Sequence, residues 1–247
     1  METRKQIIDT TTDGGDMAVL VTEPAAAPDD GGEWPVVLYF IDAPGIRDAT
    51  HAFAAKLAAE GYRVVVPDLH HRHGRLCNAV DTAPPEGSTV MEMIWGGIGS
   101  MTDDQIQHDA ERGLAAAGVS DDTPFVTIGF CLGARAVFRT LMAYPDRALA
   151  GAGWHPSFLA DDDADSPHQT APQLRQPLYL GIGDADQVQS IEMHQRFLDA
   201  VADLDHVRVD IFAGADHGYT WPGAPNYHAE AADGSWEATT TMFAAAF

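Results

Sequence analysis

PFVTIGFCLGARAVFRTLMAYP, residues 124–145, joins an apolar strand to a helix with only a tight turn between them. PFVTIG (residues 124–129) reads as a buried strand, and residues 133–144 as a helix stopped by Pro145. The junction, Gly129-Phe130-Cys131-Leu132-Gly133, is a G-x-nucleophile-x-G pattern in the strand–turn–helix setting that such an elbow needs. The turn is so sharp that only glycine fits two residues to either side of the central position. Cys131 is thereby lifted above the end of the strand, where a thiolate is a strong nucleophile. The amide of Leu132, at the start of the helix, faces the same spot and suits an oxyanion. A buried structural cysteine is the competing reading, since free cysteine is among the most buried residue types.

Outward from this junction, strand-like and helix-like segments alternate along the chain. Residues 17–21, 35–40, 62–67, 148–153, 177–181 and 207–212 read as strands. Residues 48–60, 102–117 and 190–202 have helical spacing, and 224–247 is largely helical. Residues 68–100, with Pro84-Pro85 and Gly96-Gly97, read as a long irregular stretch of the kind that covers or serves a site. The Asp-rich run ADDDADSP (residues 160–167) reads as solvated surface. Such alternation predicts an α/β fold, with a mostly parallel twisted sheet and helices on both faces, in a single domain over residues 1–247. Functional groups in such sheets gather beyond the carboxyl ends of the strands.

That edge supplies a base and an acid. His217, in Gly214-Ala215-Asp216-His217-Gly218-Tyr219, directly follows the last strand, VRVDIF. Asp184 and Asp186 both lie just past the strand in LYLGIGDADQV (residues 178–188), and either could accept the Nδ1–H of His217. Asp216, beside the histidine in sequence, is expected to point away from it to the surface.

Composition narrows the partners. The chain has 247 residues with 37 Asp and Glu against 14 Lys and Arg, a net charge of −23. Such a field repels nucleic acid and anionic membrane surfaces. It suits an acidic protein that stays soluble in concentrated salt, or reflects a genome that favours Asp and Ala over Lys. No apolar run is long enough to span a membrane, and the polar N-terminus has no stretch of signal-peptide length, so a cytoplasmic location is expected. The two cysteines, Cys77 and Cys131, do not form a disulfide framework.

With these residues in place, the sequence resembles the dienelactone hydrolase family, α/β-hydrolases with a cysteine nucleophile, from about residue 36 to residue 243. The elbow G-[FY]-C-x-G is residues 129–133, and G-A-x-H-G-[FY] is residues 214–219. The family carries its acid in a D-x-x-[VM]-P-x-E-like segment. Asp186 matches because Glu192 lies six residues on, although Gln189 and Ser190 depart from the pattern. The resemblance therefore implies a Cys131, Asp186, His217 triad that hydrolyses a small ester or lactone through a thioester acyl-enzyme, with no cofactor and no metal. It further implies that Ala43 gives a second oxyanion amide. Asp42 takes the place of a glutamate that meets the resting cysteine, and a structural role bonding loop amides is the alternative. The family's namesake enzymes hold a substrate carboxylate with an arginine just after the histidine. Here Thr220-Trp221-Pro222-Gly223 stands instead, which argues against dienelactone itself. Phe130, Tyr219, Trp221, Trp95 and His70 are the candidate lining of a more apolar pocket.

Two readings remain beside this one. A ligand-binding or sensing protein on the same fold would keep the pocket without turnover, because fold alone does not imply activity. A hydrolase acting on a thioester or another acyl link is the other. His70, His71 and His73 lack a partner Cys or carboxylate at ligand spacing and point to substrate contact rather than metal.

Overall fold

A computed structural model of the protein describes residues 1–29 and 31–247. The chain forms two compact units, Met1–Phe125 and Val126–Phe247.

In the first unit, β1 (Thr3–Thr12) and β2 (Gly15–Pro24) form an antiparallel hairpin that turns at Asp13-Gly14. The strand order is β1-β2-β4-β3, where β3 is Val36–Phe40 and β4 is Arg63–Pro67. β2 and β4 are antiparallel, and β3 and β4 are parallel. Helix α1 (Asp48–Ala59) lies on one face, where Phe53 meets the Tyr39 ring edge-on at 6.0 Å. Helix α3 (Asp103–Ala116) packs on the opposite face, and a Cβ at its Gly113 would come within 3.3 Å of Pro67. The alternation of a pleated strand explains this, because Tyr39 and Pro67 point to opposite sides of the ladder.

The second unit carries β5 (Phe125–Phe130, all but its first residue), β6 (Ala148–Trp154), β7 (Leu178–Gly183) and β8 (Val207–Phe212), in that order. β6 with β7 and β7 with β8 are parallel. Both β5 and β7 are buried at every residue, as unbroken apolar runs covered on two faces should be. Helix α4 (Leu132–Ala143) covers one face so closely that Gly151 and Gly153 have no room for a Cβ against Val137 and Ala134. Helix α7 (Ala229–Ala246) covers the other, with Trp154 Nε1 donating to Thr239 Oγ1 at 2.9 Å. Helix α6 (Ile191–Val201) follows β7, and its Phe197 meets Phe138 of α4 edge-on at 5.5 Å. The short α5 (Pro167–Thr170) lies between β6 and β7 in sequence.

Two expectations need correction. Strand β1 was not anticipated, because TRKQIIDTTT lies mostly exposed at the edge of its ladder and shows no clean apolar alternation. The stretch 68–100 is not wholly irregular, since Val90–Gly99 forms helix α2 behind a capping box between Thr89 and Glu92. The signal T-x-x-E is legible in the sequence, but two adjacent glycines obscure it. The Asp-rich loop lies at the surface, as expected, and its Asp161, Asp162 and Asp165 pair there with Arg135, Arg196 and Arg139.

Candidate active site

Cys131 stands between β5 and α4 with φ 55° and ψ −118°, a left-handed conformation for a residue with a side chain. Such a backbone costs about 1–3 kcal/mol and persists only where its surroundings impose it. Here a Cβ at Gly129 would lie 2.1 Å from the Gly133 carbonyl oxygen, so the turn closes only with glycine. The Cys131 amide donates to the Trp154 carbonyl at 3.1 Å, and its own carbonyl accepts from the Ser157 amide at 2.9 Å. Leu132 opens α4, where first-turn amides lack an intrahelical acceptor and are available to an anion.

His217 follows β8, and its Nδ1 lies 2.7 Å from Asp186 Oδ2. The other oxygen of Asp186 accepts from the amides of Val188 at 2.8 Å and Gln189 at 2.7 Å. With its side chain only 1% exposed, this carboxylate is held in place by these three contacts. Asp184 serves elsewhere, accepting from the Gly214 amide at 2.6 Å. Asp216 does not simply face solvent, since Oδ1 accepts from the amides of His217 at 2.7 Å and Gln187 at 2.9 Å. It thereby ties the histidine loop to the acid loop.

Burial opposes a charge on His217, but the bond to Asp186 and the neighbouring Cys131 sulfur outweigh it and raise the ring from 6.5 to about 10. Nε2 is buried and has no hydrogen bond of ordinary geometry, with the sulfur near enough to favour its protonated form. The arrangement thus sets a ring that holds its proton firmly, oriented by a buried carboxylate, beside the cysteine sulfur.

Four further residues crowd this centre. Ser157, fully buried, places Oγ 3.4 Å from Cys131 Sγ. The ring of His155 stands edge-on to His217 at 5.0 Å. Gln189 Oε1 accepts from the Phe158 amide at 3.2 Å, joining the loop after β6 to the one after β7. His194 of α6 is fully buried, and burial lowers its proton affinity despite the nearby Asp186. Sequence reasoning missed all four. Yet His155-Pro156-Ser157 stands just beyond a strand's carboxyl end, the criterion that selected the other site residues.

The remaining candidates lie in the first unit. Asp42 is buried. Arg47 takes both its oxygens, Nη1 to Oδ1 at 2.5 Å and Nη2 to Oδ2 at 2.7 Å. A bidentate guanidinium is the natural partner for a carboxylate that is 5% exposed. His70 Nε2 meets the Ala43 carbonyl at 2.9 Å, fixing the loop that carries the Ala43 amide. Ala43 and His70 line a cavity of about 20 Å³ with Cys77, Met93 and Gly97. His71 is bonded to Thr12 and the Asp68 carbonyl, and His73 to Ser100. Trp95, on α2, is 47% exposed.

The dienelactone hydrolase family matches residues 17–247. The chain belongs to this family. A carboxymethylenebutenolidase of Rhodococcus opacus is 26% identical over 224 residues, covering 88% of this chain and 83% of the relative. A Salmonella typhi protein provisionally given the same name is 25% identical over 240 residues, covering 94% of this chain and 83% of its own. Among solved structures, a Klebsiella pneumoniae protein provisionally named a dienelactone hydrolase superposes with a TM-score of 0.83 at 20% identity, covering 99% of each chain. A dienelactone hydrolase-like promiscuous phosphotriesterase from metagenomic libraries superposes at 0.74 with 21% identity, covering 100% of both.

Within this dienelactone hydrolase fold, two of the expected pocket aromatics are core residues. Phe130 and Tyr219 are fully buried, and the Tyr219 hydroxyl is engaged by Ser235 Oγ at 2.8 Å and the Gly181 carbonyl at 3.2 Å. Alternation explains Phe130, since the residue before the elbow points into the sheet packing. Trp221 is 9% exposed, its ring 5.0 Å from that of Phe130. No helix among the described residues is long and apolar enough to cross a membrane.

Proposed function

We infer that this member of a hydrolase family cleaves a small carboxylic ester or lactone, with Cys131 as nucleophile, His217 as general base and acid, and Asp186 as the group that orients the ring. The observation that carries this reading is the 2.7 Å contact between His217 Nδ1 and Asp186 Oδ2, which leaves Nε2 for the thiol at the elbow. The names of the relatives, carboxymethylenebutenolidases, support an ester or lactone bond.

His217 Nε2 takes the thiol proton before the substrate reacts, and Cys131 Sγ then attacks the carbonyl carbon as a thiolate beside the protonated ring. The carbon–sulfur bond forms, and the carbonyl electron pair moves onto oxygen, facing the Leu132 amide. Ala43 is the second donor on the family's pattern. Collapse of the oxyanion breaks the ester carbon–oxygen bond, and the leaving oxygen takes its proton from His217. Water then attacks the thioester, giving a proton to His217. The carbon–sulfur bond breaks and the acid leaves, which restores the thiolate beside protonated His217. The family match spans both compact units, and we read them as one catalytic domain acting without a cofactor.

Hydrolysis of a short p-nitrophenyl ester by the wild type, Cys131→Ala and His217→Ala tests this, with the acyl-enzyme sought by intact-mass measurement. Turnover lost in both variants and an acyl adduct on Cys131 are the expected results. Equal rates in all three would defeat the assignment.

A further inference from the structure

The loop after β6 holds more of the chemistry than its distance in sequence from the elbow suggests. Among the described residues, four without glycine's freedom have positive φ, and three belong here: Cys131 at 55°, His155 at 38° and Phe158 at 61°. Strain concentrated at one place signals that the surroundings dictate the backbone. The two loop positions bracket Pro156 and Ser157, and of these Ser157 carries the polar side chain.

Its surroundings hold it from several sides. The Ser157 amide donates to the Cys131 carbonyl at 2.9 Å, and the His155 amide donates to the Gly181 carbonyl at 2.8 Å. The Phe158 amide donates to Gln189 Oε1 at 3.2 Å, and its carbonyl accepts from Arg135 Nη1 at 2.8 Å. The loop is therefore fastened to the elbow, to β7, to the acid loop and to α4. The hydroxyl so placed lies 3.4 Å from the sulfur in a buried position, within hydrogen-bond reach for sulfur. A hydroxyl next to a thiol has an alternative acceptor in any other oxygen, but next to a thiolate it is a donor to the strongest acceptor present.

We propose that Ser157 is a positioning residue for the nucleophile: its hydroxyl donates to the Cys131 thiolate, stabilises the charged sulfur, and holds it in the rotamer from which it attacks. This rests on the reading of Cys131 as nucleophile. The donation weakens as negative charge leaves sulfur for the carbonyl oxygen, so Ser157 raises the fraction of enzyme ready to react rather than stabilising the oxyanion. The other ionisable groups around this centre within the same unit are His217 after β8, Asp186 after β7, His155 after β6 and His194 on α6.

The test is the rate of Cys131 alkylation by iodoacetamide across pH 5–9, followed by peptide mass mapping so that Cys77 is scored separately. In Ser157→Ala the pH midpoint should rise by about one pH unit, with alkylation below the midpoint about tenfold slower, as loss of one charge-assisted bond implies. Ser157→Thr keeps the hydroxyl and should restore most of the wild-type profile. In ester hydrolysis, kcat should fall with KM little changed. Ser157→Ala with an unaltered midpoint, in protein whose circular dichroism and melting match the wild type, overturns the proposal. A midpoint that shifts equally in Ser157→Ala and Ser157→Thr also overturns it, because packing rather than the hydroxyl would then be the cause. Failure of the underlying reading looks different: Cys131 alkylation would then be slow in the wild type and insensitive to His217→Ala.

Discussion

Replacing Asp186 by Asn changes one charge and almost no volume. The Asn oxygen can still accept from the Val188 and Gln189 amides, which hold the Asp carboxylate at 2.8 and 2.7 Å, so the loop should keep its shape. The amide group must then face His217 Nδ1, now 2.7 Å from a carboxylate oxygen. An NH2 there requires Nδ1 to be an acceptor, which puts the ring proton on Nε2, where it cannot receive the thiol proton. A buried charge-assisted bond contributes about 1.5–3 kcal/mol, which sets a loss near 10²-fold from the bond alone. The wrong tautomer adds to it; the same exchange in serine triads lowers kcat by about 10⁴. A thiol is more acidic than a serine hydroxyl, so the expected fall in kcat lies between these, about 10²–10³. Steady-state hydrolysis of p-nitrophenyl acetate measures it, with Asp184→Asn and Asp216→Asn as comparisons expected to stay within about tenfold. Asp186→Asn within threefold of the wild type, or matched by Asp184→Asn, would refute the reasoning.

Gly129→Ala should be far more damaging than its size suggests, because the new Cβ meets backbone 2.1 Å away. A loss of several kcal/mol and a fall in Tm of roughly 10 °C are expected by calorimetry, with activity abolished. Tyr219→Phe should cost about 1–2 kcal/mol in urea unfolding yet leave kcat within threefold, since its hydroxyl bonds Ser235 and Gly181 in the core. A large loss of activity would return Tyr219 to the pocket. His217 should titrate near 10 by NMR, and lower in Cys131→Ala or Asp186→Asn. A proton held more tightly folded than unfolded stabilises fully below pH 6.5, and that contribution is lost as pH rises toward 10. Wild-type stability should therefore decline over this range more steeply than that of Asp186→Asn.

What could be read from the sequence was what local sterics determine. The elbow was legible because two glycines and an apolar strand leave few other backbones for residues 125–133. His217 was legible from its place after β8. The pairing of Asp42 with Arg47 was not legible, because Arg47 lies five residues on in a loop without periodicity. Phe130 and Tyr219 look like pocket residues when only their neighbours in sequence are known, and burial alone distinguishes them. Ser157, although just past a strand's end, and Gln189 were passed over for a related reason. Their roles exist only once loops 26 to 31 residues apart are brought together.

The residues of the proposed site stand just past the ends of four adjacent strands: Cys131 after β5, Ser157 after β6, Asp186 after β7 and His217 after β8. A strand advances by about 3.3 Å per residue, more than the whole margin between a bond and no bond. The hydrogen-bond ladder therefore acts as a ruler with coarse divisions. A substitution on this row changes one group and leaves the positions of the others unmoved. Inserting or deleting a single residue within any of the four strands moves a reactive group a full division and disconnects it at once. Variation in length is thus confined to the loops beyond the row and to the opposite ends of the strands.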